Sequence, residues 1–224
     1  MSAVERAPVV LVEGRSELMA LASLLLQYPD RELLSAVDEL RAAVQALPVA
    51  VEAAGLERLV DWMGGTDAVT VQRHYVDVFD LRRRSGLNLT YYLHGDTRKR
   101  GMALLTLKQR FRAEGLVMGA QELPDYLPLV LEFAAEAGPG AGEAPLRQHR
   151  QGLALLSAAL HDADSPYAAV VDVVCSVLPP MTAADLQAVA ALAADGPMTE
   201  SVGLEPYAPD RPGAPAGYLQ ECSS

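Results

Sequence analysis

The apolar residues of this chain recur at intervals of three and four positions, and this spacing constrains the fold more than any other feature. Leu18, Leu21, Ala22 and Leu25 set the pattern, which places apolar side chains on one face of an α-helix. Further segments repeat it within residues 33–47, 56–63, 69–79, 97–114, 127–134, 146–160, 170–177 and 186–193. No segment alternates apolar and polar residues with a period of two. The sequence therefore predicts an all-α protein, a single-domain bundle of about nine helices around one core.

One of these segments is ambiguous, because Val170, Val173, Val174 and Val177 also suit a β-strand. Predicted helices flank the segment, however, and the sequence offers no partner strand. We therefore predict a helix here as well.

Short polar residues mark the expected helix starts. Side chains at three of these starts can accept hydrogen bonds from the backbone N–H groups of the first helical turn. They belong to Asp30, to Thr66 or Asp67, and to Thr182 together with Asp185. Proline and glycine pairs mark several of the expected ends.

The composition changes near the end of the chain, and this change marks the boundary of the predicted domain. From Gly196 onwards, four Gly and five Pro occur among 29 residues, with few large apolar side chains. Such a segment buries too little apolar surface to offset the entropy lost on ordering. We therefore expect one helical domain over residues 1–195 and a disordered tail over residues 196–224.

Charge is distributed unevenly along the chain. The sequence has 18 basic and 29 acidic residues and a net charge of −11, yet residues 82–112 contain nine of the bases and only one acid, Asp96. A protein this acidic is not expected to bind nucleic acid, whose phosphates require basic surface. The basic segment still allows a local anion site, although its bases between residues 98 and 112 do not gather on one side of a helix.

Cysteine use and hydropathy bear on the cellular location. Cys175 and Cys222 form no CxxC pair and no disulfide framework, which favours a reducing compartment. Acidic residues interrupt the only N-terminal apolar stretch, and no uncharged apolar run reaches the roughly 18 residues of a membrane span. We expect a cytoplasmic protein without stable membrane insertion. The sequence leaves open whether the protein is a monomer or in equilibrium with a dimer.

Motifs of catalysis and of cofactor or metal binding are mostly missing. The sequence has no HExxH, GxSxG, Walker or GxGxxG motif. His161-Asp162 stands out, because helical metal-dependent phosphohydrolases bind metal through a His-Asp pair and other His and Asp residues. The alternative interpretation is structural, since His161 would end a helix, where a positive charge suits the helix dipole. The structural interpretation is favoured, so we predict no metal and no cofactor, and the metal-dependent phosphohydrolase remains the alternative function.

Residues 94–96 form a polar break between two predicted helices. Gly95 is expected to allow a positive φ at the end of one helix, and Asp96 to cap the next. The basic residues that follow would strengthen an anion site at this helix start.

Residues 122–129 contain two prolines four positions apart, which is unusual for a helix. The spacing fits a helix start if Asp125 is the N-cap and Pro128 lies in the first turn, where its missing N–H is not needed. This arrangement would leave Asp125 and Tyr126 exposed.

Aromatic residues gather in the middle of the sequence. Tyr75 and Phe79 are four positions apart and can point the same way from a helix, which is typical of core packing. Tyr91 and Tyr126 occur nearby among Arg and Asp residues, a mixture that is also typical of peptide-binding surfaces. Composition does not separate these two interpretations.

Four segments together carry a resemblance to a known family. They are Leu-Leu-Gln-Tyr-Pro-Asp at residues 25–30, Tyr-Val-Asp-Val-Phe-Asp at 75–80, Leu-Thr-Tyr-Tyr-Leu-His-Gly-Asp-Thr-Arg-Lys-Arg-Gly at 89–101, and Glu-Leu-Pro-Asp-Tyr-Leu-Pro-Leu-Val-Leu-Glu-Phe at 122–133. Their order and spacing over residues 18–178 resemble the NarJ-type nitrate reductase assembly chaperones, within the wider TorD/DmsD-like family of redox-enzyme maturation chaperones. One departure is Tyr126, where the wider family often has His.

The resemblance implies a TorD-like chaperone fold and a role without catalysis. Chaperones of this kind bind the N-terminal segment of the nitrate reductase alpha (catalytic) subunit. They keep that subunit soluble and competent for insertion of the molybdenum cofactor, and they delay its membrane docking until then. A helical adaptor with another protein partner differs only in its target and is a further alternative.

Mapped onto the family's shared motifs, the resemblance also implies which residues line or shape the surface for the partner peptide. They are Tyr75, Phe79, Tyr91, His94, Asp96, Arg98, Arg100, Pro124, Asp125, Tyr126, Leu131 and Phe133. We expect Asp125 and Tyr126 to contact the peptide. We expect Arg98 and Arg100 to hold the loop or to meet an acidic or phosphate group.

Overall fold

Twelve α-helices make up most of the structure, a computed structural model that describes residues 14–48, 50–119 and 122–195. In chain order they are α1 (Arg15–Leu25), α2 (Arg31–Ser35), α3 (Val37–Gln45), α4 (Ala50–Gly65), α5 (Ala68–Tyr75), α6 (Leu89–His94), α7 (Arg98–Ala113), α8 (Leu127–Ala137), α9 (Ala144–Gln148), α10 (Arg150–Asp162), α11 (Ala168–Val177) and α12 (Ala183–Asp195). The predicted all-α class is confirmed, and the valine-rich segment is helix α11. The predicted tail, residues 196–224, lies outside the described residues.

The number of helices exceeds the predicted nine or so because two predicted segments are divided and one helix has a weak sequence signal. Ala36 and His149 leave helical geometry, with ψ angles of 13° and 25°, and so separate α2 from α3 and α9 from α10. Helix α6 has only six residues, which are too few for its sequence to show an amphipathic period. Helix α5 continues into a π-helical turn, Val76–Asp80.

Three of the predicted helix caps are confirmed. Asp30 and Asp67 each accept a hydrogen bond from the backbone N–H three residues later, at 2.9 and 3.0 Å. Thr182 and Asp185 form a reciprocal capping box, in which each side chain accepts from the backbone N–H of the other, at 3.2 and 3.0 Å.

The core lies around α1, which packs against α8 and α11, while α4 packs against α3 and α11. The approach of α4 to α11 is close, since a Cβ atom on Gly55 would lie 2.6 Å from a methyl group of Val173. Helix α10 connects this core to α6 and α12. None of the helices in the described ranges is both long and apolar enough to cross a bilayer.

Candidate functional site

Two adjoining cavities form an open groove beside α8. The larger has a volume of about 580 Å³ and the smaller about 350 Å³. Tyr28, Asn88 and Tyr126 line both cavities and therefore form the boundary between them. The larger is also lined by Gln27, Asp30, Glu122, Leu123, Pro128, Leu129 and Glu132, and the smaller by Tyr75, Phe79, Asp80 and Leu87. We call the two together the tyrosine groove, and its parts the larger and the smaller compartment.

One wall of the groove is formed by two chain segments that pair through their backbones. The N–H of Leu89 donates to the carbonyl of Asp125 at 2.9 Å, and the N–H of Leu127 donates to the carbonyl of Leu87 at 2.8 Å. Between these bonds, Asn88 and Tyr126 form an antiparallel β-bridge. The bridge fixes where the Tyr126 side chain leaves the backbone.

The side chain of Asp125 lies beneath this bridge and has no solvent-exposed surface. Its carboxylate accepts hydrogen bonds from the amide of Asn88 at 3.1 Å and from the hydroxyl of Thr90 at 2.5 Å. The guanidinium of Arg100 adds an ion pair, with Nη2 at 3.5 Å from Oδ2 of Asp125. Asp125 therefore joins the wall to the start of α7.

Two predictions about Asp125 are wrong. The N-cap of α8 is Tyr126, without a side-chain cap, and Asp125 is buried rather than exposed. The physical reason is that the carboxylate of Asp125 accepts a hydrogen bond from Thr90 and pairs with the guanidinium of Arg100 inside the protein. If Asp125 capped α8 instead, it would exchange these charge-assisted contacts for hydrogen bonds from backbone N–H groups. The prediction that Pro128 lies in the first turn of α8 is confirmed.

Tyr126 lies at the boundary between the compartments, and its hydroxyl is 3.3 Å from the hydroxyl of Tyr75. Tyr75 donates its own proton to the carbonyl of Leu26 at 3.0 Å, so Tyr126 is the donor in the tyrosine pair. Burial raises the pKa of both phenols, which keeps them protonated and able to donate.

An aromatic cluster forms the floor of the smaller compartment. The ring of Tyr75 lies 4.7 Å from that of Phe79 and 5.5 Å from that of Tyr28. Behind them, Tyr167 is fully buried, with its ring 5.0 Å from Phe79 and 6.1 Å from Trp62. These ring contacts, which are edge-to-face except for the tilted Tyr75–Phe79 pair, give the floor a fixed shape.

The larger compartment combines apolar and acidic side chains. Tyr28 and Leu123 are 45% and 46% exposed, which is high for large apolar residues. The carboxylates of Asp30, Glu122 and Glu132 surround them and are exposed. Among the described residues that line this compartment, none is Lys or Arg.

The α6–α7 turn and the start of α7 contain the next residues of the expected site. Gly95 has a φ of 54°, as predicted. The prediction that Asp96 caps α7 is wrong, because Thr97 occupies the N-cap and no side chain caps it. Asp96 instead pairs with Arg100 at 3.2 Å, the favourable i, i+4 spacing. The guanidinium of Arg100 also lies 5.8 Å from the ring of Tyr91.

The other site residues taken from the resemblance divide by burial. Leu131, Phe133 and Pro124 are buried, and the ring of Phe133 stacks on that of Phe111 at 4.3 Å. His94 is half-buried at the end of α6, and its burial lowers the pKa of its imidazole. Arg98 is exposed at the start of α7. None of these five residues lines the groove.

The structure therefore brings together only part of the expected set. Tyr75, Phe79 and Tyr126 line the groove, and Asp125 with Arg100 supports its wall. Sequence reasoning missed the lining residues Gln27, Tyr28, Asp30, Asp80, Leu87, Asn88, Glu122, Leu123, Pro128, Leu129 and Glu132. A signal was available for some of them, because residues 25–30 and 122–133 belong to the segments that carry the resemblance.

The described residues offer no support for the metal-dependent alternative. They contain no group of three or more His, Cys, Asp or Glu side chains that could hold a metal ion. The Nε2 atom of His161 instead lies 2.8 Å from the carboxylate of Asp172, on the neighbouring helix. Asp162 is the last residue of α10.

Comparisons with known proteins identify the family of the chain. The family model described as "Nitrate reductase delta subunit" matches residues 44–172. The chain belongs to this family. NarJ of Escherichia coli K12, named a nitrate reductase molybdenum cofactor assembly chaperone, is 33% identical to this chain over 180 residues. That match covers 79% of this chain and 75% of NarJ. NarJ of Bacillus subtilis 168 is 31% identical over 156 residues, which are 70% of this chain and 85% of that protein.

A longer relative and a solved structure complete the comparison. The nitrate reductase-like protein NarX of Mycobacterium tuberculosis H37Rv is 42% identical over 154 residues, or 69% of this chain. The chain spans only 23% of the length of NarX. A crystal structure of an Archaeoglobus fulgidus protein described as a redox enzyme maturation protein superposes with a TM-score of 0.56 at 19% identity. It covers 76% of this chain and 98% of its own, so the two proteins share a fold.

Proposed function

We propose that this protein is an assembly chaperone of respiratory nitrate reductase. It binds the N-terminal segment of the alpha (catalytic) subunit and keeps that subunit competent for molybdenum cofactor insertion before membrane docking. It does this in the cytoplasm and catalyses no reaction itself. The names of the E. coli and B. subtilis relatives and the match to their family support the role.

The observation that carries this proposal is the chemistry of the tyrosine groove. Exposed Tyr28 and Leu123 offer apolar contact to a partner, and Asp30, Glu122 and Glu132 surround them with negative charge. An amphipathic helix with basic residues matches such a surface, because its apolar face enters the groove and its cations meet the rim.

The exposure of these carboxylates fits a cycle of binding and release. Each exposed ion pair adds little to affinity by itself, but the carboxylates together increase the rate of association. Apolar burial in an open groove then holds the segment until the subunit is complete. A chaperone needs this combination, because a very stable complex would prevent hand-off.

Isothermal titration with a synthetic peptide of the alpha subunit's N-terminal segment tests the proposal. Leu123→Arg places a cation in the larger compartment and is expected to weaken binding by on the order of tenfold, because it removes apolar contact and repels a basic peptide. Leu186→Arg is the matched control, since Leu186 is 53% exposed on α12 and does not line the groove. Circular dichroism establishes that both variants are folded.

The pattern of the two results is decisive. Loss of binding in Leu123→Arg alone supports the groove as the peptide site. Equal affinities in both variants and the wild type would show that the groove is not the site. Absence of any binding to the wild-type protein would reject this peptide as the target and favour an adaptor for another partner.

A second experiment tests the role in assembly. Nitrate reductase produced in cells with the wild-type chaperone should contain its full complement of molybdenum. Cells with Leu123→Arg in place of the wild type should yield enzyme with a lower molybdenum content, while cells with Leu186→Arg should not. An unchanged molybdenum content in both would contradict a role in cofactor insertion.

A further inference from the structure

The two compartments of the tyrosine groove differ in charge as well as in size. The larger compartment is lined by the three exposed carboxylates Asp30, Glu122 and Glu132. Its described lining contains no basic side chain, so its electrostatic potential is negative.

The smaller compartment has less negative charge. Its described lining is aromatic or apolar apart from the amide of Asn88 and the carboxylate of Asp80. Asp80 and Leu87 both line this compartment, and the short turn between them contains Arg82, Arg83 and Arg84, which are all exposed. Three exposed basic residues therefore follow the only carboxylate of this lining within four positions of the chain.

The boundary between the compartments is held in place. Tyr126 is fixed by its hydrogen bond to Tyr75 and by the backbone bridge to Asn88. Tyr28 meets the same Tyr75 ring edge-on at 5.5 Å. The groove therefore presents two adjoining binding volumes with these fixed side chains between them.

We infer that the tyrosine groove is electrically polar along its length and so fixes the placement of a bound segment. Cationic side chains of the segment occupy the larger compartment, and an apolar or aromatic side chain occupies the smaller one. A carboxylate of the segment is accepted only beside residues 82–84. This inference rests on the proposed function, because it specifies which part of the peptide each compartment binds.

The reversed placement is disfavoured at both ends at once. It would bring the cations of the segment towards three arginines and would leave three carboxylates without counter-charges. Like charges brought together at an interface act against the wrong partner or the wrong register. The effect is local, because the Debye length is only about 8 Å at physiological ionic strength.

Titrations with charge-neutral variants test the polarity. The acid-neutral variant combines Asp30→Asn, Glu122→Gln and Glu132→Gln, and the matched base-neutral variant combines Arg82→Gln, Arg83→Gln and Arg84→Gln. Asparagine retains the ability to cap α2 at position 30, so that helix start is preserved. The ligands are the N-terminal peptide of the alpha subunit and the same peptide with its Lys and Arg replaced by Gln.

The expected result is a selective loss. The acid-neutral variant should bind the basic peptide on the order of tenfold more weakly at low salt, with a reduced salt dependence, and should bind the neutral peptide like wild type. The base-neutral variant should bind the basic peptide at least as tightly as wild type. Equal weakening in both variants, or weakening only in the base-neutral variant, would overturn the polarity.

Photo-crosslinking locates the two ends of the peptide directly. A benzophenone group beside the basic residues should cross-link to the fragment that contains Leu123, and one beside the apolar residues to the fragment that contains Phe79 or Leu87. Interchanged or identical cross-links would overturn the inferred placement but leave peptide binding, and hence the proposed function, intact. Absence of binding to the wild-type protein would overturn both proposals.

Discussion

Replacing Asp125 with alanine is expected to destabilise the protein strongly, because three donors converge on this buried carboxylate. The hydroxyl of Thr90 is fully buried, so losing its charged acceptor costs about 2 kcal/mol. Asn88 and Arg100 are partly exposed and regain water, so each loses about 1 kcal/mol. The expected decrease in the free energy of unfolding is therefore about 4 kcal/mol, within the range for breaking a buried ion pair.

A matched control is available on the same arginine. Asp96 also pairs with Arg100, but its side chain is 73% exposed, against 0% for Asp125. Asp96→Ala should therefore lower the free energy of unfolding by only about 0.5 kcal/mol. Both variants lose one carboxylate and one ion pair with Arg100, so they differ mainly in burial.

Urea denaturation followed by far-UV circular dichroism measures both effects. The urea midpoint should fall clearly for Asp125→Ala and hardly at all for Asp96→Ala, with similar m-values. A loss below about 1 kcal/mol for Asp125→Ala would refute the inferred network. Equal losses in the two variants would show that the ion pair with Arg100, rather than the burial of the Asp125 carboxylate, determines the change in the free energy of unfolding.

Two further predictions concern pH and helix packing. His149 is 7% exposed, and its Nδ1 lies 2.9 Å from the carbonyl oxygen of Pro145. Burial lowers the pKa of this imidazole in the folded protein, so the unfolded chain takes up a proton before the folded protein does as the pH decreases. Stability should thus be full above about pH 6.5, the pKa of an unperturbed histidine, and should decrease as the pH falls below it, and His149→Asn should reduce this dependence in urea titrations at several pH values. Gly55→Ala should lower the free energy of unfolding by about 1–3 kcal/mol, because the new Cβ would meet Val173. Gly101→Ala should raise the free energy of unfolding by about 0.5–1 kcal/mol, because a Cβ at this position in α7 meets no other atom within 4 Å and alanine favours the helix. Thermal unfolding of both variants measures this contrast, and equal shifts would contradict the close approach of α4 and α11.

The helices were predictable from the sequence because the information for them is local. Apolar spacing, together with caps such as Asp30 and Asp67, depends on residues within a few positions. For helix α6 the sequence predicted only the end, at Gly95, because residues 89–94 are too few to show an apolar period and their helix depends on packing against α10.

The site was predictable only in part, because its contacts join distant segments. A proline followed by aspartate at residues 124–125 reads locally as a helix cap. The strongest acceptor contacts of Asp125 are with Asn88 and Thr90, which lie 37 and 35 positions earlier in the chain. Only tertiary structure shows that this carboxylate is internal.

Exposure changes how the basic helix α7 is interpreted. Its bases spread around the helix in a sequence projection, but Leu107 and Phe111 are its only buried residues. Arg98, Lys99 and Lys108 are all exposed. The sequence gives the charges, and the fold determines which of them face solvent.

The aromatic floor of the groove lies close to a natural fluorophore, the indole of Trp62. Trp62 is the single tryptophan of the chain, so its fluorescence comes from one known place. Its indole lies 5.2 Å from His74 and 6.1 Å from Tyr167, whose ring meets Phe79 in the floor at 5.0 Å. A ligand side chain in the smaller compartment is thus separated from the fluorophore by only two rings, and occupancy of that compartment can be followed by emission without any attached dye.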